Sequence, residues 1–182
     1  MIAGIKKLVV ASSIAAALLA GAAPAAQAAE EQFFMLPSYR VGPYGANGQS
    51  FYGGFIDYLN YVNTKGGIDG VQATWEECET EYNNAKGVEC YERMKSKAQK
   101  APGPIHTMST GISYALVDKA AADKLPLAMM GYGLTSAVDG SVFPWAFPLV
   151  TTYQMQASAI IKFLKDKNGG SLAGKKIVFL YH

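Results

Sequence analysis

The sequence predicts an α/β fold, a parallel sheet with helices on both faces. Three observations carry that expectation. Short apolar blocks alternate along the chain with longer segments whose apolar residues recur at helical spacing, the pattern of strands returned to their neighbours by helices. Helix starts and stops are marked where the blocks change, by Asn83 or Asn84, by Ser109-Thr110 and by Gly66-Gly67. No internal repeat or low-complexity segment interrupts the alternation from residue 29 onward.

Residues 32–37 read as the first strand and Gly42 to Gly48 as a loop. Phe51, Phe55, Tyr58, Leu59 and Val62 then line one helical face until Gly66-Gly67 end it. Val71 to Trp75 is a second strand. The helix that follows turns Ala85, Val88, Tyr91, Met94 and Ala98 inward and presents a solvated charged face of Lys86, Glu89, Glu92, Arg93, Lys95 and Lys97. Pro102-Gly103-Pro104 leads into a strand at Ile105 to Met108, Ser109-Thr110 opens a helix through Asp123, and Leu127 to Met130 is a fourth strand. Phe143 to Leu149 forms a fifth. Thr152 to Lys167 is a helix with Tyr153, Ala157, Ile160, Ile161 and Leu164 inward, and Ile177 to Tyr181 a sixth strand that stops at His182 without a turn, which predicts a truncated sequence.

The first residues read as an export signal. Lys6 and Lys7 supply the charged start, Leu8 to Ala20 the apolar run and Ala26-Gln27-Ala28 the cleavage site, so residues 1–28 are expected to be removed. The apolar run is shorter than the ~20 residues a membrane span needs. Without the two signal lysines, basic and acidic residues balance, which favours neither nucleic acid nor an anionic membrane as partner.

Cys78 and Cys90 admit two readings. Export to an oxidising compartment favours a disulfide; the neighbouring Glu76, Glu77, Glu79 and Glu81 suggest a metal site, although the chain has only two histidines and the spacing matches no zinc pattern.

In a parallel sheet, ligands collect where strand carboxyl ends lead into helix starts. Three loops qualify: Ser38 to Gln49, Ser109 to Gly111 and Gly131 to Asp139. Ser109-Thr110-Gly111 offers hydroxyls and unpaired N–H groups to an anion, or is simply a helix cap. Gly42-x-x-Gly45-x-x-Gly48 departs from the dinucleotide fingerprint and reads as a wide backbone-lined loop at a pocket edge. Gly131-Tyr132-Gly133-Leu134-Thr135 lets backbone approach a ligand with Tyr132 as a wall, or serves as a turn. Tyr39 and Tyr44 pack or line the same edge, and Arg40 meets a carboxylate or water. No nucleophile elbow and no H-E-x-x-H motif occurs, and His106 falls inside a strand.

Ser38-Tyr39-Arg40-Val41-Gly42-Pro43-Tyr44-Gly45, then a helix ending Asn60-Tyr61-Val62-Asn63-Thr64-Lys65-Gly66-Gly67-Ile68-Asp69-Gly70 and a strand, resembles the opening of type I periplasmic solute-binding proteins. The group is that of the branched-chain amino acid, or leucine-binding, receptors of ABC importers. The likeness extends through Cys78, Ser109-Thr110-Gly111 and Lys175 to His182. It implies two lobes closing on ligand about a hinge, with residues 29–149 as the first lobe and 150–182 as the hinge and start of the second. It implies that Ser109, Thr110 and Gly111 hold a ligand carboxylate, and that the loop of Tyr132, Gly133 and Thr135 meets an ammonium, with Tyr39 and Tyr44 nearby. Leu134 stands where that group carries a hydroxyl residue, which brings an aromatic carboxylate or an amide into competition with an amino acid. The resemblance further implies a periplasmic monomer that needs no cofactor, performs no catalysis and delivers a small-molecule solute to an inner-membrane ABC permease. A sensor's ligand domain and a secreted α/β enzyme are the alternatives.

Overall fold

The structure, a computed structural model, describes residues 31–130, 133, 135–178 and 180. The export segment and its cleavage site lie outside the described residues, as do Gly131, Tyr132, Leu134, Phe179, Tyr181 and His182.

Among the described residues, five strands form one parallel sheet. In chain order the elements are β1 (Glu31–Ser38), α1 (Gly45–Thr64), β2 (Gln72–Glu79), α2 (Asn84–Lys100), β3 (Pro102–Thr107), α3 (Thr110–Asp123), β4 (Leu127–Met129), a 3₁₀ turn (Thr135–Val138), β5 (Ala146–Pro148) and α4 (Tyr153–Lys167). The strand order is β2-β1-β3-β4-β5, with every pairing parallel. Alternate residues of β1 serve opposite faces: Phe33 and Met35 pack with α2 and α3, Phe34 and Leu36 with α1. The α/β expectation and its two-faced sheet therefore hold.

Several boundaries move for physical reasons. β2 runs to Glu79, well past Trp75, because eight successive residues pair with β1 from Glu31 opposite Gln72 to Ser38 opposite Glu79. Its acidic end is tolerated because Glu76 pairs with Arg93 and Lys97, and Glu77 with Arg40. Val71 is not in that strand; it closes a tight turn by pairing with Ile68. β3 starts at Pro102 rather than Ile105. Its register against β1 slips between Phe33 and Met35, a bulge that accommodates the Pro102-Gly103-Pro104 run.

α1 begins at Gly45, so the second half of the expected Gly42 to Gly48 loop is helix. Its buried stripe is Gly45, Gly48, Tyr52 and Leu59, and Tyr58, expected inward, is exposed. A methyl on Gly48 would lie 1.8 Å from the Tyr39 carbonyl oxygen, so these glycines set how closely α1 crosses the end of β1. In α2 the inner face is rotated: Gly87 and Cys90 are buried with Tyr91, Met94 and Ala98, while Ala85 is exposed. Gly87 brings α2 against Ile112 of α3, with room for no side chain.

The Asn-x-Lys-Gly-Gly-Ile segment also has a local cause. Asn63 clamps β2 by donating to the Ala73 carbonyl at 2.8 Å and accepting from the Ala73 N–H at 2.9 Å. Gly67, at φ 85°, sits where a methyl would be 2.0 Å from the Val71 carbonyl oxygen.

β5 is shorter than expected, since Phe143 belongs to a turn in which its N–H donates to the Asp139 carbonyl at 2.9 Å. The helix α4, expected over Thr152 to Lys167, starts one residue later with Thr152 as its cap and buries no residue; Tyr153, Ala157, Ile160 and Ile161 are exposed and Leu164 is half-buried. Residues 175–178 and 180 carry no strand, so the sixth strand is not formed among the described residues.

Cys78 and Cys90 form a disulfide between the end of β2 and the middle of α2, with Cα atoms 5.8 Å apart. Among the described residues no cluster suits a metal. Closing a loop of 12 residues restricts the unfolded chain by a little under ~3 kcal/mol. The Cys78→Ser, Cys90→Ser double variant should lose about that much stability in urea titration, and an unchanged midpoint would mean the loop is held by its other contacts alone.

Candidate functional site

The carboxyl ends of β1, β2 and β3 share one edge because the strands are parallel, and their loops meet there. Ser109 ends the β3 loop in extended backbone and caps α3 by accepting from the Ile112 N–H at 3.3 Å. Its carbonyl accepts from the Ser113 N–H at 3.0 Å and the Ser113 hydroxyl at 2.8 Å. That hydroxyl pairs with Thr107 at 2.7 Å, so the start of α3 is locked to the end of β3. Ser109 is 1% exposed, and it lies close enough to Tyr82 to act on its phenol. Thr110 is half-buried beside it.

Gly111 lies where a methyl would come 2.5 Å from Asn84 Oδ1, so its bareness lets the starts of α2 and α3 meet. Gly133 rests over Thr110, with 2.3 Å between an added methyl and Thr110 Cγ2. Thr135 opens the 3₁₀ turn and donates its N–H to the Gly133 carbonyl at 2.8 Å. Tyr132 lies outside the described residues.

Tyr39 is 2% exposed and sits in the α1 core, edge-on to Tyr52 at 5.7 Å and to Tyr82 at 4.8 Å between ring centres. Tyr44, half-buried at the head of α1, lies 4.3 Å from the Tyr82 ring at a 44° tilt. Tyr82 is thus the residue on which the edge converges, and sequence reasoning missed it. Glu81 and Tyr82 hold φ of 52° and 62°, a left-handed pair that neither residue type signals. Thr80 braces the turn: its N–H and hydroxyl both donate to the Ser38 carbonyl at 2.7 Å. Burial raises the Tyr82 phenol above its ordinary pKa, with nearby Ser109 opposing the shift and Tyr44 and Tyr153 adding to it. Tyr153, at the start of α4, therefore lies within electrostatic reach of the same hydroxyl.

Arg40 meets a carboxylate of its own chain. Its guanidinium makes a fork with Glu77 and donates to the Gln49 carbonyl at 3.1 Å, while its backbone N–H donates to Glu79 at 2.7 Å. Glu77 holds its pKa up. Gly42, at φ 84°, and Gly45 complete this loop as packing glycines: a methyl would lie 3.0 Å from the Glu81 carbonyl oxygen at the first and 2.9 Å from that of Arg40 at the second. The glycine series thus shapes a helix start more than an open loop. His106 faces α1, away from Ser109, with Phe51 and Phe55 edge-on to it at 5.5 and 4.3 Å.

Residues 36–182 match the family described as periplasmic binding protein. A protein of the Pseudomonas fluorescens group named an ABC transporter permease has a solved structure that aligns at 45% identity and a TM-score of 0.70, over 78% of this chain and 34% of that one. A fatty acid ABC transporter substrate-binding protein from Thermomonospora curvata aligns at 20% identity and 0.63, over 76% and 34%. The branched-chain amino acid transporter substrate-binding protein of Streptococcus pneumoniae, solved with isoleucine, aligns at 18% and 0.65, over 76% and 39%. The last two likenesses are of fold alone. No curated protein matches the chain. The chain thus spans between a third and two fifths of the length of these neighbours.

Proposed function

The chain belongs to the periplasmic binding protein family, and from that membership we propose that it is part of a receptor that captures a small carboxylate solute outside the cytoplasm and hands it to an ABC importer. The family is one of solute receptors rather than enzymes. The carrying observation is the start of α3: Ser109, Thr110 and the first N–H groups of the helix lie at the carboxyl edge of the sheet, where hydroxyls and helix dipole together favour an anion. Gly133 rests over Thr110 and is held by Thr135, and Tyr82, packed against Tyr44, lies near Ser109.

In this reading residues 1–28 direct export to the periplasm and are cleaved, residues 29–149 form the first lobe, and residues 150–182 lead into a second lobe that closes the cleft. The receptor works as a monomer, requires no cofactor and releases its solute unchanged to an inner-membrane permease. An amino acid and an aromatic acid are the solute classes that fit a carboxylate; an amide is the competing class.

The test uses the whole protein and the carboxylate that most raises its melting temperature in a thermal-shift screen. Removing the Ser109 and Thr110 hydroxyls by double alanine substitution should weaken that ligand at least tenfold, since each hydrogen bond to a charged group is worth about 1.5–3 kcal/mol. Loss of a helix cap alone costs about 1 kcal/mol of stability and leaves the dissociation constant nearly unchanged. A variant that melts lower yet binds as tightly as the parent would reduce Ser109 to a cap.

A further inference from the structure

Three tyrosines from separate segments interact with one another where the starts of α2 and α3 meet. Tyr44 comes from the β1 loop, Tyr82 from the β2 loop and Tyr153 from the start of α4. Tyr82 is the central one. Its ring is 4.8 Å from Tyr39 on the core side and 4.3 Å from Tyr44, its near neighbour Asn84 meets Gly111 at the start of α3, and Ser109 is close enough to act on its phenol. Its placement is maintained at a cost, because two successive non-glycine residues, Glu81 and Tyr82, are held left-handed. The segment is pinned on both sides, by Thr80 on the Ser38 carbonyl and by Asn83, which caps α2 by accepting from the Lys86 N–H at 3.1 Å.

A saturated side chain gains from such a wall only by leaving water. A planar ring gains that and the added attraction of offset or edge-on aromatic contact. We infer that Tyr82 selects the ligand, so that the solute class taken at this edge is a carboxylate bearing an aromatic ring, its acid group toward Thr110 and Ser109 and its ring against Tyr82 and Tyr44. The inference rests on the proposed reading of this edge as the solute site. Tyr82 acts on the ligand directly through its ring and positions Ser109 through its hydroxyl.

The experiment separates those two roles. Dissociation constants of the whole protein are measured by calorimetry for benzoate against cyclohexanecarboxylate and for 3-phenylpropanoate against 3-cyclohexylpropanoate, with leucine as a fifth probe. Members of a pair share the acid and nearly share size, and differ in π-character. The parent should bind at least one aromatic member roughly two- to tenfold tighter than its saturated partner, the range that an aromatic contact supplies. Tyr82→Leu should bring that ratio to one, and Tyr82→Phe should keep the ratio while weakening both members together. If Tyr82→Leu fails to fold, judged by its melting curve, the parent's ratio and its retention in Tyr82→Phe decide the matter. Equal binding within both pairs, or a ratio that survives Tyr82→Leu, overturns the inference. Leucine binding tighter than any of the four acids overturns it also and leaves the receptor reading standing. If none of the five binds, the inference and the carboxylate reading fall together.

Discussion

Gly48→Ala is expected to prevent the stable fold or to cost more than ~3 kcal/mol, above the usual range of overpacking because the atoms it meets cannot move aside. The added methyl would stand 1.8 Å from the Tyr39 carbonyl oxygen and 2.7 Å from its ring. Relief would require α1 to lift from β1, which would uncover Tyr52 and Leu59, both buried in that interface. Gly54 supplies the control. It lies in the same helix with nothing within 4 Å of an added methyl, so Gly54→Ala should raise stability by roughly 0.5–1 kcal/mol through helix propensity. Urea titrations of the two variants beside the parent would display opposite signs for one chemical change. A Gly48→Ala variant as stable as the parent would show that the approach of α1 is looser than described.

The second large effect is on acid stability and comes from His106. The side chain is 7% exposed, its Nδ1 has no hydrogen-bond partner, and two phenylalanine rings crowd it. Burial pushes its pKa from 6.5 down to about 4. The folded chain therefore keeps this imidazole neutral while the unfolded chain protonates it. Its contribution is fully present above pH 6.5 and is lost as pH falls from 6.5 toward 4, amounting to roughly 3 kcal/mol at 1.36 kcal/mol per pH unit. Glu76 and Glu92, whose pKa values are held down by Lys97 and by Lys119 respectively, add a separate loss below about pH 4.5. His106→Phe should flatten the stability profile between pH 6.5 and 4.5 and leave the lower limb in place. Parallel profiles for variant and parent across that window would mean that His106 titrates as an ordinary exposed histidine.

How far the sequence disclosed this molecule depended on whether a feature was local. Strand and helix alternation and the caps at Asn83 and Ser109 follow from residue types and short spacings, the pairing of Cys78 with Cys90 was favoured by an exported chain, and the structure has them. The match to periplasmic binding proteins agrees with the resemblance read from the β1 loop and the Asn63 to Gly70 segment. Features fixed by distant neighbours were not legible. Gly45 and Gly48 resembled loop residues because their cause is a carbonyl on another element, and Glu76 to Glu79 looked unlike a strand because their partners are on β1, α2 and Arg40. Tyr82 escaped notice for the same reason, since its position is set by Thr80, Tyr39 and Ser109 acting together. At the site itself, Ser109 and Thr110 were identified as the start of a helix, and what the sequence left out was the tyrosine cluster around Tyr82 near them.

The strand order has a consequence for assembly. β1 is the earliest strand of the sheet in sequence, yet it lies inside it, between β2 and β3. A chain emerging N-terminal end first thus presents its template before its edges. β2 is laid on one side, and β3, β4 and β5 are added outward on the other, each beside a strand already made. Among the described strands none has to be inserted between two existing neighbours: the free sides of β1, β3 and β4 are taken in turn by β3, β4 and β5, while the outer edge of β2 stays unpaired.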